Sequence, residues 1–308
     1  MKIALFGGTG FIGGYLVDEL VAHGHQPAVL VRPGSEQRLR HPDHCLAISG
    51  TIEEEEAIRQ TLEGADAAIY NIGILRAFPQ RGVTFHALHF EGAKRVADLA
   101  SEAGVGRFLL MSANGARADG TEYQKTKYMA EQYLQTTELR WTVFRPSVLF
   151  GDPRGNVEFA TQLYQDLVAP PVPAPLFHEG LLPFGAGGME LSPVHVDDVA
   201  RVFVASLGKD ETVGKIYPLG GPDILTWKRI LEIIAEATGK RLFGVPAPAW
   251  GVKIAAGLLE RFPDFPITRD QLTMLMEGNT CDSREIFELM SIDPIPFNAE
   301  TLQYLNRL

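Results

Sequence analysis

The sequence predicts an α/β fold: a doubly wound parallel sheet followed by a smaller, mainly helical cap. Three observations predict it. Apolar runs of strand length alternate with helical patterns through the first 150 residues, as strands joined by crossover helices must. A glycine turn, Gly7-Gly8-Thr9-Gly10-Phe11-Ile12-Gly13, joins the first strand to the first helix. After residue 150 the pattern changes, and breaker-rich and helical stretches dominate.

The first strand is Lys2 to Phe6, an apolar run that reads as buried. Leu16, Val17, Leu20 and Val21 then share one helical face, and Gly24 is placed as the C′ stop. Between the two, Gly7 permits the tight turn. Gly10 lets backbone approach a pyrophosphate whose charge sits at the helix N-terminus, and Gly13 lets helix and strand pack closely. Strand, glycine turn and helix together are the context of a dinucleotide-binding fingerprint, so the sheet is read as Rossmann-type. Ala28 to Val31 is the second strand and Cys45 to Ile48 a short third. Thr51 is placed to cap the next helix, with Glu53 to Glu56 in its first turn, where acids suit the dipole. Ala67 to Asn71, Arg107 to Ser112 and Trp141 to Arg145 are the fourth to sixth strands. Between them run helices over Phe85 to Ala103, ended by Gly104, and over Tyr123 to about Thr136.

Residues 1–150 are therefore the expected Rossmann domain, with segments near 190–220 returning to it, and 151–308 the expected substrate or cap region. Residues 169–188 hold five prolines and four glycines, which predicts a functional loop or lid. Val199 to Leu207 reads as a helix capped by Asp197, and Lys215 to Tyr217 as a seventh strand. Thr226 opens a periodic helix through Ile230, Ile233, Ile234 and Ala237, closed by Gly239. Trp250 to Phe262 and Asp270 to Glu277 are further helices. The first carries an apolar stripe of Ile254, Ala255, Leu258, Leu259 and Phe262, which suits packing on the domain or peripheral contact with a protein partner or membrane surface.

Composition narrows the function classes. A net charge of −10 disfavours nucleic acid, because phosphate needs cations. Two cysteines, Cys45 and Cys281, give no disulfide framework. No stretch reaches ~18 uninterrupted apolar residues, so no membrane span is expected. With no leader ahead of the first strand, the default compartment is a cytoplasmic one. His41, His44 and Cys45 lie close together, but no second cluster completes a metal site, so no metal is expected. His195 and Asp197 read as a helix cap with a neighbouring imidazole.

Two features carry chemistry. The second strand ends Val31-Arg32-Pro33, with Ser35 and Arg38 following. An acid at this point binds a ribose 2′-hydroxyl, whereas an arginine accommodates a 2′-phosphate. Arg32 therefore favours NADP(H), without excluding NAD(H). Tyr123 and Lys127 lie one helical turn apart on one face. A nearby ammonium favours the phenolate, so Tyr123 is a candidate general acid or base towards a carbonyl or alcohol, with Lys127 assisting it.

These features resemble the short-chain dehydrogenase/reductase superfamily, in its extended or atypical branch. The resemblance spans essentially the whole chain. It rests on GGTGFIG at 7–13, MSANGA at 111–116, the Tyr123/Lys127 pair, RPSVLFG at 145–151 and PVHVDD at 193–198. Tyr217-Pro-Leu-Gly-Gly-Pro-Asp223 and Thr268-Arg-Asp-Gln-Leu272 narrow it to the group around the NADPH-binding accessory subunit of complex I and its bacterial relatives. The resemblance implies coenzyme contacts at Gly7, Thr9, Gly10, Phe11, Ile12 and Gly13, and at Arg32 and Ser35. It places Thr51 and Ile52 near adenine, Asn71 and Gly73 near ribose and phosphates, Lys127 at the nicotinamide ribose, and Pro146 to Val148 beside the nicotinamide. It also implies an oxidoreductase or epimerase-like activity on an unknown small molecule. The chain departs from the pattern: Thr51 follows Gly50 where an Asp is usual, and His89 stands for the usual Asn. The catalytic Ser position aligns with Asn114, two residues past Ser112; either is a candidate donor to a substrate oxygen. These departures raise a rival: a non-catalytic NADPH-binding module that presents its cap to a partner such as a respiratory assembly.

Overall fold

The computed structural model describes residues 1–253 and 268–307. The chain forms two compact units. One comprises Met1–Pro146, Val196–Leu219 and Arg284–Ile292; the other comprises Ser147–His195, Gly220–Ser283 and Asp293–Leu308.

The first unit is built on β1 (Lys2–Phe6), β2 (Gln26–Val31), β3 (Leu46–Ser49), β4 (Ala67–Tyr70), β5 (Arg107–Met111) and β6 (Trp141–Pro146), with a seventh strand at Lys215–Leu219. All pairings are parallel, in the order Lys215–Leu219, β6, β5, β4, β1, β2, β3. The order reverses between β1 and β4, which opens a crevice at the carboxyl ends of those two strands. Ile3 to Phe6 are fully buried, as a strand covered on both faces must be. One face packs under α2 (Glu55–Leu62), α3 (Gly92–Glu102) and α4 (Glu122–Leu134), through Ile58, Val96 and Ala130 against Phe6, Tyr70 and Phe108. α1 (Phe11–Ala22) buries Leu16, Val17 and Leu20 and packs beside the Val196–Ser206 helix.

Most element boundaries agree with the sequence within one or two residues; four differ for physical reasons. α2 starts later than the acidic run suggests: Glu54 is its N-cap, and the Thr51 hydroxyl donates to the Glu54 carboxylate at 3.0 Å instead of capping the helix. The long helix at 85–103 begins as a π-helix over His86–Glu91 before passing into α3. Its cause is the Tyr70 hydroxyl, which donates to the Leu88 carbonyl at 2.6 Å and intrudes into the helical ladder. Gly92 makes room for it, since a Cβ there would sit 2.4 Å from that oxygen. Asp197 is not a cap. The helix starts at Val196, so Asp197 and Asp198 both lie inside its first turn. The region 169–188 is not a continuous loop, because Ala174–His178 is a strand.

Among the described residues, the second unit combines helices with three strand pairs. Leu149–Phe150 pairs with Val194–His195, Glu190–Leu191 with Leu225–Thr226, and Ala174–His178 with Gly244–Pro248. Its central helix is Trp227–Thr238, capped by the Thr226 hydroxyl on the Arg229 amide and stopped by Gly239 at φ 64°. Trp227, Ile230, Leu231 and Ile234 form the core with Phe150, Phe177 and Leu302. The Arg269–Met276 helix begins with a reciprocal Thr268–Gln271 capping box. Of the apolar stretch at 250–262, residues 254–262 lie outside the described residues. Among the described residues, no helix is long and apolar enough to cross a membrane.

Candidate functional site

The glycine turn leaves the carboxyl end of β1 and meets the end of β4 across the crevice. Gly7 has φ 97°, a left-handed conformation, and a Cβ on it would lie 3.0 Å from the Asn71 backbone. A Cβ on Gly13 would lie 2.1 Å from the Gly7 carbonyl oxygen and 2.7 Å from the Gly8 backbone, so helix and turn touch through bare backbone. Gly10, the N-cap of α1, has ordinary space, its nearest atom being 3.6 Å away. No side chain caps α1 and no acid occupies its first turn. The helix thus presents uncapped N–H groups and positive dipole, the requirements of a diphosphate.

Asn71 adds a second feature. Its Nδ2 donates to the Gly7 carbonyl at 3.4 Å, while its Oδ1 is buried and has no hydrogen-bond partner. A buried unmet acceptor costs stability, and a sugar hydroxyl is the donor that would satisfy it. The uncapped helix, the Gly7–Gly13 cradle and this acceptor together fit a dinucleotide.

The other expected coenzyme contacts are distributed as follows. Thr9, Phe11 and Ile12 are half-buried along the turn, and Phe11 packs edge-on to Tyr15 at 5.8 Å. Arg32 is exposed beyond β2, and its guanidinium has no ion-pair partner among the described residues. Ser35, half-buried, precedes a short 3-10 turn and donates its N–H to the Arg32 carbonyl at 2.9 Å. Ile52 is buried, and its carbonyl accepts from Arg95 at 3.0 Å. Pro146 ends β6 and accepts the Asn114 amide at 2.8 Å; Val148 is half-buried in the second unit.

α4 brings Tyr123 and Lys127 to the same crevice. A Thr121–Gln124 capping box starts the helix, so its register is fixed just ahead of Tyr123. The Lys127 ammonium is buried and donates to the Met111 carbonyl at 2.9 Å and the Ile72 carbonyl at 3.4 Å, at the ends of β5 and β4. Gly73 passes it, a Cβ there being 3.4 Å from Nζ. Burial lowers the Lys127 pKa to about 8, against the opposing pull of Glu131. Burial also pushes Tyr123 up to about 12, the reverse of the shift expected from a neighbouring ammonium, because the phenol is shut away from water. The Tyr123 ring stands edge-on to His89 at 5.1 Å and to Phe85 at 5.8 Å, and its hydroxyl makes no hydrogen bond among the described residues.

His89 and Glu131 are site residues that sequence reasoning passed over or read only as a departure. His89 Nε2 accepts the Ile74 amide at 3.1 Å, so its proton sits on Nδ1, which donates to Thr126 Oγ1 at 3.2 Å. The imidazole is held neutral, its pKa lowered to about 2 by burial and then by Lys127. The π-turn aims it there. Glu131 lies one turn past Lys127, fully buried, and accepts from Ser112 Oγ and from Arg145. Ser112 is thus engaged with a carboxylate on α4, whereas Asn114 is half-buried beyond it. Tyr123, Lys127 and Glu131 at four-residue intervals were the signal that could have found this third residue. His41, considered with His44 and Cys45, instead faces Asp18 at 3.1 Å.

Because the folded-state pKa of His89 is depressed, the unfolded chain binds the extra proton. Its contribution to stability is complete above pH 6.5 and declines as pH falls from there towards 2. Urea unfolding is expected to weaken by about 1.4 kcal/mol per pH unit across that window, and His89→Asn to remove this component. An unchanged slope in the variant would contradict the buried neutral imidazole.

Comparison with known proteins follows the same lines. The family model for NAD(P)H-binding proteins matches residues 7–167, just over half of the chain. The 40 kDa subunit of mitochondrial NADH-ubiquinone oxidoreductase from Neurospora crassa is 26% identical over 310 residues, covering 98% of this chain and 78% of that protein. Ceramide reductase from Caulobacter vibrioides is 27% identical over 262 residues, covering 84% and 77%. Among solved structures, Thermus thermophilus UDP-glucose 4-epimerase in complex with NAD superposes with a TM-score of 0.74 at 19% identity, covering 100% and 98%.

Proposed function

Since the chain belongs to the NAD(P)H-binding family, we propose that it is an NADP(H)-dependent oxidoreductase that reduces a carbonyl group, with Tyr123 as proton donor. The observation that carries this reading is the placement of Lys127, an ammonium buried at the ends of β4 and β5, one turn from a Tyr whose hydroxyl is unengaged. Gly7, Thr9, Gly10, Phe11, Ile12 and Gly13 would hold the diphosphate, Asn71 and Gly73 the adjoining ribose, Thr51 and Ile52 the adenine, and Pro146 the nicotinamide. A reduced nicotinamide bound there would supply the hydride for a substrate carbonyl carbon. Tyr123 donates its phenolic proton to the carbonyl oxygen, and Lys127 stabilises the phenolate left behind. Ser112, whose hydroxyl donates to Glu131, and Asn114 are the two candidate donors to the substrate oxygen. The Caulobacter relative, a reductase by name, supports this reaction class. Steady NADPH oxidation with a panel of ketones, lipid ketones included, tests the proposal; no turnover with any of them speaks against it.

Arg32 and Ser35 select the phosphorylated coenzyme. Arg32→Ala is expected to weaken NADPH binding about tenfold or more, ~1.4 kcal/mol at least, and to leave NADH binding unchanged. Calorimetric titration of both coenzymes measures this, and an equal loss for both would remove Arg32 from phosphate recognition.

A second reading has its own support. The likeness to a respiratory-complex subunit and the engagement of Ser112 with Glu131 suit a module that holds NADPH without turnover and meets a protein partner. NADPH binding with no oxidation by any carbonyl favours this reading.

A further inference from the structure

The geometry points to a lipid-docking face on the second unit, fitted to a membrane surface of anionic headgroups. It is independent of the redox reading. Ala174–His178 and Gly244–Pro248 form a two-stranded parallel ribbon, with Pro248 opposite His178. Both strands therefore end at the same side. The first runs into a tip carrying Leu181, Leu182 and Phe184, and the second into Trp250. Leu181 is 93% exposed, Phe184 83%, Phe243 66% and Trp250 55%, so the ribbon leaves a group of large apolar side chains in water. The Gly244, Val245 and Pro246 edge between Phe243 and Trp250 is itself exposed.

Charge identifies the occupant. The chain as a whole carries −10, yet residues 239–253 hold Lys240, Arg241 and Lys253 and no acid. All three cations are exposed and have no carboxylate partner among the described residues. On the nearby Trp227–Thr238 helix, by contrast, Lys228 and Arg229 are paired with Glu232 and Glu236. Lys240 and Arg241 precede Phe243 ahead of the ribbon's second strand and Lys253 follows Trp250 at its far end, against one exposed acid in the tip, Glu179. Exposed aromatic and leucine side chains along an edge with an excess of Lys and Arg are the composition that enters the headgroup layer of an anionic bilayer. A partner strand is a poorer fit. Pro246 and Pro248 remove N–H groups from the exposed edge, which blocks pairing with an added strand.

Flotation of the full-length protein with vesicles tests this, using phosphatidylcholine alone and phosphatidylcholine mixed with phosphatidylglycerol. The protein is expected to float with the anionic vesicles and weakly or not at all with the neutral ones. Lys240→Glu with Arg241→Glu should lower anionic-vesicle partitioning roughly tenfold or more. Leu181→Ser with Phe184→Ser should abolish it, at an unchanged thermal midpoint because both side chains are already in water. Trp250 is the exposed one of three tryptophans, Trp227 being buried and Trp141 half-buried. Its emission should shift to the blue on vesicle addition, and Trp250→Phe should remove the shift. Absence of flotation with anionic vesicles overturns the proposal. So does flotation that neither double variant reduces. Concentration-dependent dimerisation abolished by Phe184→Ser, without vesicle binding, would assign the face to a second copy instead.

Discussion

Gly13→Ala is expected to abolish coenzyme binding and to lower the melting temperature. The new Cβ would lie 2.1 Å from the Gly7 carbonyl oxygen and 2.7 Å from the Gly8 backbone, and neither can rotate away as a side chain could. The N-terminus of α1 must lift off the turn, at a cost at the upper end of the ~1–3 kcal/mol typical of overpacking. The uncapped N–H groups then no longer converge where a diphosphate would lie. Gly10→Ala separates fold from ligand. Its Cβ has 3.6 Å of clearance, so the protein should melt almost as the parent does, while a methyl group now stands where backbone must approach the phosphates. Melting curves with and without NADPH measure both effects. A Gly13→Ala protein with parental stability and affinity would contradict the cradle geometry.

Tyr123→Phe is expected to reduce turnover by two to four orders of magnitude, the usual span for a general acid, with NADPH affinity nearly unchanged. Proton supply also predicts the pH profile. In the coenzyme-free protein Tyr123 stays protonated until about 12 and Lys127 until about 8. The carbonyl-reducing kcat/KM should therefore hold steady at neutral pH and fall as pH rises through about 8, when the ammonium that stabilises the phenolate is lost. Lys127→Met should remove that limb together with most of the activity. Undiminished turnover in Tyr123→Phe would remove this residue from the chemistry.

The parts legible in the sequence are those set by local pattern. Lys2 to Phe6, Gly7 to Gly13 and the face of α1 each follow from short-range rules, and so does the seventh strand, observed at Lys215–Leu219. The capping of Trp227–Thr238 was equally readable, because Thr226 and Gly239 are strong start and stop signals. What escaped depends on contacts between distant segments. The π-turn at His86–Glu91 is forced by Tyr70, sixteen residues earlier, and nothing in the helix itself announces it. The Ala174–His178 strand was hidden among prolines because its partner, Gly244–Pro248, lies far along the chain. The site divides the same way. Tyr123 and Lys127 were visible as a spacing, whereas the commitment of Ser112 to Glu131 and of His89 to Ile74 required the sheet and α4 to be brought together. Those two bonds tie Ser112 and His89 into the fold around α4.

The central claim is that the Gly7–Gly13 turn, with Asn71, grips the diphosphate and ribose of a nicotinamide coenzyme. Isothermal titration of the folded protein with NADPH and with NADH tests it most directly. Saturable binding at one site per chain, tighter for NADPH and absent in Gly13→Ala, is the expected result. A protein that gives no binding heat and no rise in melting temperature with either coenzyme would contradict it.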